Sequence, residues 1–447
     1  MQSRIHDFIA IGLGPFNLGL ACLTDPLEEL DGLFLERRSS FNWHPGLLLE
    51  DATLQTPFMA DLVTLADPTS RFSFLNYLKS QGRLYNFYIR EQFFLLRNEY
   101  NQYCQWVTTQ LRTLRFNRDV ERVVHDETED CYHVHSRDTI SGEVRLHRAR
   151  KLVLGTGTEP MIPACCGDAR ERLVHSSEYL DHKAALQKKP AITLVGSGQS
   201  AAEIYLDLLE DIDEHGYTLN WVTRSPRFFP LEYGKLTLEM TSPDYIDYFH
   251  ALPQSTRDRL AREQKGLYKG IDLDLINAIH DRLYTMSLNG PVDTHLLTCA
   301  ALEQCHYDAA HQGFELIFSH TEQDRRFTHR TEGLILATGY APRPPAFLDP
   351  IEHRIQRDDA GRYIVGRYYN INAHGDLFVQ NAELHTHGLV APDLGMACYR
   401  NACIIRELTG REVYPVERSV TFQTFGAPDN AVFTPERVSA ERRPTDA

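Results

Sequence analysis

The sequence predicts an α/β protein with two Rossmann-like nucleotide-binding domains, the second inserted in the first, and a small helical substrate region. Three observations predict it. The apolar run Phe8 to Ile11 ends in Gly12 and Gly14, and the run Ile192 to Val195 ends in Gly196 and Gly198. Each run passes directly into a stretch of helical composition. An apolar strand stopped by glycines and continued as a helix is the setting in which such spacing marks a dinucleotide site.

In the first unit Gly12 permits the tight turn and Gly14 lets the backbone approach a pyrophosphate. The helix beginning near Pro15 and running through Asn17 and Leu18 directs its amide end at that group. Asn17 stands where a third glycine is usual. The next strand, Gly32 to Leu35, sets Glu36 22 residues after Gly14, where a carboxylate suits a ribose with free hydroxyls. Tyr100, Tyr103, Cys104, Val107 and Leu111 recur at helical spacing and mark a core face. Lys151 to Gly157 and Gly333 to Tyr340 are further strand–turn units.

In the second unit Ser197, Gly198, Gln199 and Ser200 lead into the helix, and the following strand, Thr218 to Val222, leads to Arg224 rather than an acid. A guanidinium pairs with a ribose 2′-phosphate that a carboxylate would repel, so this site reads as NADPH. The alternative for Arg224 is a solvated strand-end charge. The stretch Tyr245 to Tyr284 is helical and aromatic-rich, which suits a substrate wall or packing alone. The expected division is 1–170 and 331–416 for the first domain and 171–330 for the second. The helical insert falls at about 231–290, and a peripheral tail covers 417–447.

The 447 residues carry 46 Lys and Arg against 61 Asp and Glu, a net charge of −15, which argues against nucleic-acid or anionic-membrane partners. No run approaches the roughly 20 apolar residues of a membrane span. Nine cysteines without a CxxC pair suit a reducing cytoplasm and exclude a disulfide reductase. His133 with His135, and His385 with His387, lack the neighbours of a metal site, so no metal is expected. Two nucleotide folds suggest a flavoprotein with a nicotinamide domain set into an FAD domain. Oxidase, electron carrier and monooxygenase remain open at this point.

Longer stretches narrow the choice: Gly12-Leu-Gly-Pro-Phe-Asn-Leu18, Phe41-Asn-Trp-His-Pro-Gly46, Leu54-Gln-Thr-Pro-Phe58, Asp67-Pro-Thr-Ser70, Arg97-Asn-Glu-Tyr100, Gly196-Ser-Gly-Gln-Ser200, Ala337-Thr-Gly-Tyr340 and Thr386-His-Gly-Leu389. In these the chain resembles the N-hydroxylating flavin monooxygenases of siderophore biosynthesis, the lysine, ornithine and diamine N-hydroxylases. The resemblance implies FAD, NADPH and O2, and attack of a neutral primary amine on a C4a-hydroperoxyflavin, with no catalytic side chain. It places Gly12, Gly14, Pro15, Asn17, Leu18 and Glu36 on the FAD pyrophosphate and ribose. Trp43, His44, Gln55, His387 and Gly388 fall on the flavin side, and Gln55 also falls in the substrate region with Ala60, Tyr268 and Lys269. Gly196, Ser197, Gly198, Gln199, Ser200 and Arg224 fall on NADPH. It further implies a homo-oligomer, dimer or tetramer.

The resemblance also bears on the amine. The amino-acid hydroxylases place a Lys in the segment matching Phe58 to Leu62, where it pairs with the substrate carboxylate; this chain has Ala60. An unpaired buried carboxylate costs several kcal/mol, which favours cadaverine or putrescine. The alternative is L-lysine, with Lys269 beside Tyr268 supplying the cation. A different class, a non-hydroxylating NADPH oxidase, would make no hydroxylamine. The distal amine of a diamine stays charged and needs a carboxylate or carbonyls that the sequence does not identify.

Overall fold

The computed structural model describes residues 4–427, so most of the tail expected at 417–447 lies outside the described residues. Ile5–Ile11 is a central strand of a seven-stranded sheet, parallel to Gly32–Leu35 on one side and to Val144–Leu154 on the other. Gly32–Leu35 is buried at every position, as a parallel strand covered on both faces must be. Val144–Leu154 is long enough to serve two partners on its far edge. Its first half pairs antiparallel with Cys131–Asp138, and its end pairs in parallel with Leu377–Val379. The chain therefore returns to the first sheet after building a second.

The second sheet has five strands, all parallel, in the order Val174–His175, Gly333–Leu336, Ala191–Val195, Thr218–Val222, Thr294–Leu297. This corrects the boundary expected at 330/331. Gly333–Leu336 is wholly buried between two strands of the second sheet and spends its backbone hydrogen bonds there. The two chain crossings between the sheets instead pair with each other, Tyr340–Ala341 against Glu159–Pro160. A three-stranded antiparallel layer, Ala300–Asp308, Gly313–His320 and Arg325–Thr331, packs Phe314, Leu316 and Phe318 against Leu334 and Leu336.

The helices expected after Tyr245 form as Pro243–Ala251, Gln254–Glu263 and Leu273–Ser287. Ser242 and Asp272 start two of them by accepting the amides of Tyr245 and Leu275. Tyr245, Ile246 and Phe249 join Leu389, Val390 and Met396, whereas Ile279 and Met286 join the core of the second sheet. The insert thus spans both domains. The described part of the tail docks on it: Phe425 packs edge-on against Tyr245, and Glu239 accepts the Phe422 and Gln423 amides. Tyr100, Tyr103, Cys104 and Val107 are buried along Arg97–Thr108, as their spacing predicts.

Candidate functional site

The first cradle is built on a backbone crossing. Gly12 has φ +87°, and a Cβ there would lie 2.4 Å from the Gly155 carbonyl oxygen, so no other residue fits. Gly14 differs: a Cβ there would meet nothing within 4 Å. It precedes the helix Pro15–Thr24, whose first-turn amides receive no side-chain cap. Open space over a bare helix N-terminus fits a pyrophosphate. Glu36 braces the loop, accepting the Leu13 amide at 2.7 Å and the Arg38 amide at 2.9 Å.

Two residues expected on FAD turn their side chains inward. Asn17 is fully buried, donating to the Gly12 carbonyl at 2.7 Å and accepting from Gln380 at 2.6 Å, so it ties the turn to the strand end after Val379. Its amide occupies the place of the missing third glycine. Leu18 is fully buried in the apolar core behind the helix. Pro15, also buried, begins that helix without an amide to satisfy.

Trp43 and His44, expected on the flavin side, stay half-buried, with ring centroids 4.7 Å apart. Trp43 leans on Tyr100 and His44 on Tyr340. Burial, helped by the Arg97 and Arg38 charges, holds the His44 imidazole down at about 4, so it is neutral. His387 points inward instead: it is fully buried, bonded to Thr386 and to the Arg367 carbonyl. Gly388, φ +77°, sits under the Phe249 ring, 3.2 Å from where its Cβ would be. Both pack at the seam with the insert.

The second cradle repeats the crossing. Gly196 has φ +151°, and a Cβ there would lie 2.3 Å from the Ala337 carbonyl oxygen. Residues 196–200 remain half-exposed, Ser197 bonds Ser225 at 2.9 Å, and Arg224 is exposed with no partner among the described residues. These features fit the phosphates of NADPH. The loop is also wired to the other regions. Gln199 accepts from the Gln55 side chain at 3.2 Å and from the Asp272 amide at 2.8 Å, and donates to Glu203 at 2.9 Å. Arg97 grips Glu203 through two bonds, 2.7 and 2.9 Å, while donating to the Leu47 carbonyl. Tyr233 of the insert donates to the Gln55 carbonyl at 2.8 Å. Gln55 thus bridges all three regions.

Ala60 is buried, a methyl group where a cation was the alternative. Tyr268 and Lys269 line a cleft of about 600 Å³ together with Lys265, Arg262 and Asp258. The Lys269 carbonyl lies 3.9 Å from the Cβ position of Gly198, so this segment borders the second cradle. Its ammonium lies over the Tyr268 ring rather than in an ion pair. Spacing alone missed Tyr233, Gln380 and the Arg97–Glu203 pair, whose members lie far apart in the chain. It also missed Glu129, Cys131 and His133, whose ligand atoms lie within 4.8 Å of one another; there Arg148 already holds Glu129 at 2.7 Å.

Comparison with known proteins agrees with this geometry. Residues 4–342 match the family model for L-lysine 6-monooxygenase/L-ornithine 5-monooxygenase. A putrescine N-hydroxylase of Shewanella oneidensis is 52% identical over all of this chain and 88% of its own length. The FAD-bound cadaverine monooxygenase of desferrioxamine biosynthesis from Erwinia amylovora superposes with a TM-score of 0.94 at 60% identity, over 96% of this chain and all of that one. The ornithine N-hydroxylase of Kutzneria, with reduced FAD, NADP+ and ornithine, gives 0.84 at 27% over 92% of this chain and all of that one. No helix among the described residues is long and apolar enough to cross a membrane. With two dinucleotide cradles joined at Gln55 and a family match over most of its length, the chain belongs to the lysine/ornithine N-monooxygenase family and is a flavin-dependent N-monooxygenase.

Proposed function

We propose that this enzyme N-hydroxylates one primary amine of an aliphatic diamine, cadaverine or putrescine, to supply a hydroxamate siderophore. The observation that carries the reading is Ala60, buried and apolar where the amino-acid hydroxylases hold a carboxylate with Lys. A lysine or ornithine carboxylate would lose its hydration there without gaining a partner. The named activities of the Shewanella and Erwinia relatives support the same substrate class.

FAD, reduced by NADPH and meeting O2, supplies the oxygen that the amine takes up. The protein binds both dinucleotides at Gly14 and at residues 196–200 and must receive the amine unprotonated. A free amine of this kind has a pKa of about 10.4, so desolvation in the pocket has to favour its neutral form. The neutral His44 adds no positive charge of its own, although the Arg97 and Arg38 charges that help hold it neutral are nearby. Nine free thiols suit a reducing cytoplasm, and a dimer or tetramer, checked by light scattering, belongs to the same reading.

The test is hydroxylamine formed per NADPH consumed with cadaverine, putrescine, lysine and ornithine at equal concentration. Coupled product from the diamines alone is the expected result, and Ala60→Lys should then erode it. Product mainly from lysine would overturn the argument from Ala60. NADPH consumption without hydroxylamine from any amine would remove the proposed function and leave the fold untouched.

A further inference from the structure

A diamine hydroxylated at one end presents a second amine that stays protonated, and an ammonium entering a partly buried pocket needs an anionic partner. Asp393 is a carboxylate placed for it. It precedes the short turn Leu394–Met396 and accepts the Gly395 amide through Oδ1 at 2.7 Å. No other side-chain bond and no ion pair to Asp393 is found among the described residues. The second oxygen is therefore uncommitted.

The surroundings point the same way. The position that a Gly395 side chain would occupy is 3.1 Å from Asp393 Oδ1 and 4.0 Å from the Ala60 Cβ. A glycine thus keeps open the gap between an unpaired acid and the methyl group that stands in place of a lysine. The cation whose charge reaches it, Arg400, has another acid as its ion-pair partner. Arg400 is fully buried, paired with Glu383 at 2.8 Å and donating to the Ala391 carbonyl at 2.6 Å. Burial pushes the Asp393 carboxyl up against the opposing pull of the Gly395 amide and the Arg400 charge, and an arriving ammonium would lower it. Asp393 also lies close enough to Tyr233, whose hydroxyl holds the Gln55 carbonyl, for its charge to raise that phenol.

We propose that Asp393, facing Ala60 across the gap left by Gly395, receives the distal ammonium of the diamine and so selects diamines over amino acids. This role rests on the diamine reading above. It adds a repulsive element to the missing cation, because the α-carboxylate of lysine would approach a like charge in the same gap.

A capping role alone must be separated from a charge role. Asn caps a turn as well as Asp, so Asp393→Asn removes the charge and keeps the acceptor for Gly395. KM and kcat for cadaverine and putrescine would be compared with those for pentylamine and butylamine, which lack the second amine. Diamine binding would also be titrated directly. The wild type should favour the diamines, and Asp393→Asn should raise their KM at least 30-fold while changing monoamine KM less than threefold, with flavin content unchanged. If this variant loses its flavin, Asp393→Ser, a second cap-competent change, takes its place. Equal losses for diamines and monoamines would make Asp393 a structural cap and overturn the proposal, as would an unchanged diamine KM. A wild-type enzyme that makes no hydroxylamine from either diamine would defeat the functional reading itself, and this role with it.

Discussion

In the first cradle Gly12 abuts the carbonyl of Gly155, and in the second Gly196 abuts that of Ala337, at nearly the same separation. Beyond this shared crossing the two regions differ. The first is closed from behind by buried Asn17, Gln380 and Leu18, and its acid, Glu36, is bonded to its own loop. The second presents a half-exposed loop whose Gln199 is bonded to Gln55 and Asp272 of neighbouring regions, and its cation, Arg224, is exposed with no partner among the described residues. One cradle is part of a core and suits a cofactor held through turnover. The other is connected by polar contacts that can exchange, as suits a nucleotide that arrives and leaves with every cycle.

The largest effect should come from breaking the crossings. Gly12→Ala drives a Cβ into backbone at positive φ, so the expected product is protein without flavin absorbance and with a lowered Tm. Gly14→Ala meets no protein atom, so it should keep the fold and weaken FAD, which a thermal melt beside a flavin titration would resolve. Gly196→Ala should retain flavin but raise the NADPH KM more than tenfold; loss of flavin from this variant would show that the two cradles are not separable. Next comes Arg224→Ala. Losing one charge-assisted phosphate contact, about 1.5–3 kcal/mol, predicts a roughly 10- to 100-fold higher KM for NADPH and little change for NADH. Equal effects on both nucleotides would leave Arg224 a solvated charge.

Asn17→Ala should cost about 1–3 kcal/mol of stability by leaving the Gly12 carbonyl and Gln380 unpaired, measured by denaturant unfolding. The smallest effect is the pH response of His44. Its imidazole, held at about 4, refuses below 6.5 a proton that the unfolded chain accepts. The unfolded state binds more protons between these values, so stability rises with pH through this window and is lost as pH falls from 6.5 toward 4. His44→Gln should flatten the Tm profile there by about one proton, while His147, also near 4, keeps its share. An unchanged slope would mean that His44 is not held neutral.

Both strand–glycine–helix units, the carboxylate at Glu36, the cation at Arg224 and the buried stripe on Arg97–Thr108 were legible in the sequence. Each depends on residues close along the chain: a turn needs its glycine next to its strand, and a helix face repeats with the helical period. Ala60 was legible too, as an absence within a familiar stretch. The inward turn of Asn17, His387 and Leu18 was not, because a polar or apolar residue at a helix start has the same spacing whether it faces a ligand or a core. Nor was the membership of Gly333–Leu336 in the second sheet, since a parallel strand chooses its neighbours through a crossover and not through its own composition. The approach of Ala60 to Gly395 and the grip of Arg97 on Glu203 join segments that no local period relates. The sequence by itself thus determined which chemistry each cradle offers, through steric and charge requirements satisfied within a few residues. Only the tertiary structure decided which of those residues turn inward and which distant segments come together, because burial and pairing across distant segments exist only once the chain has packed.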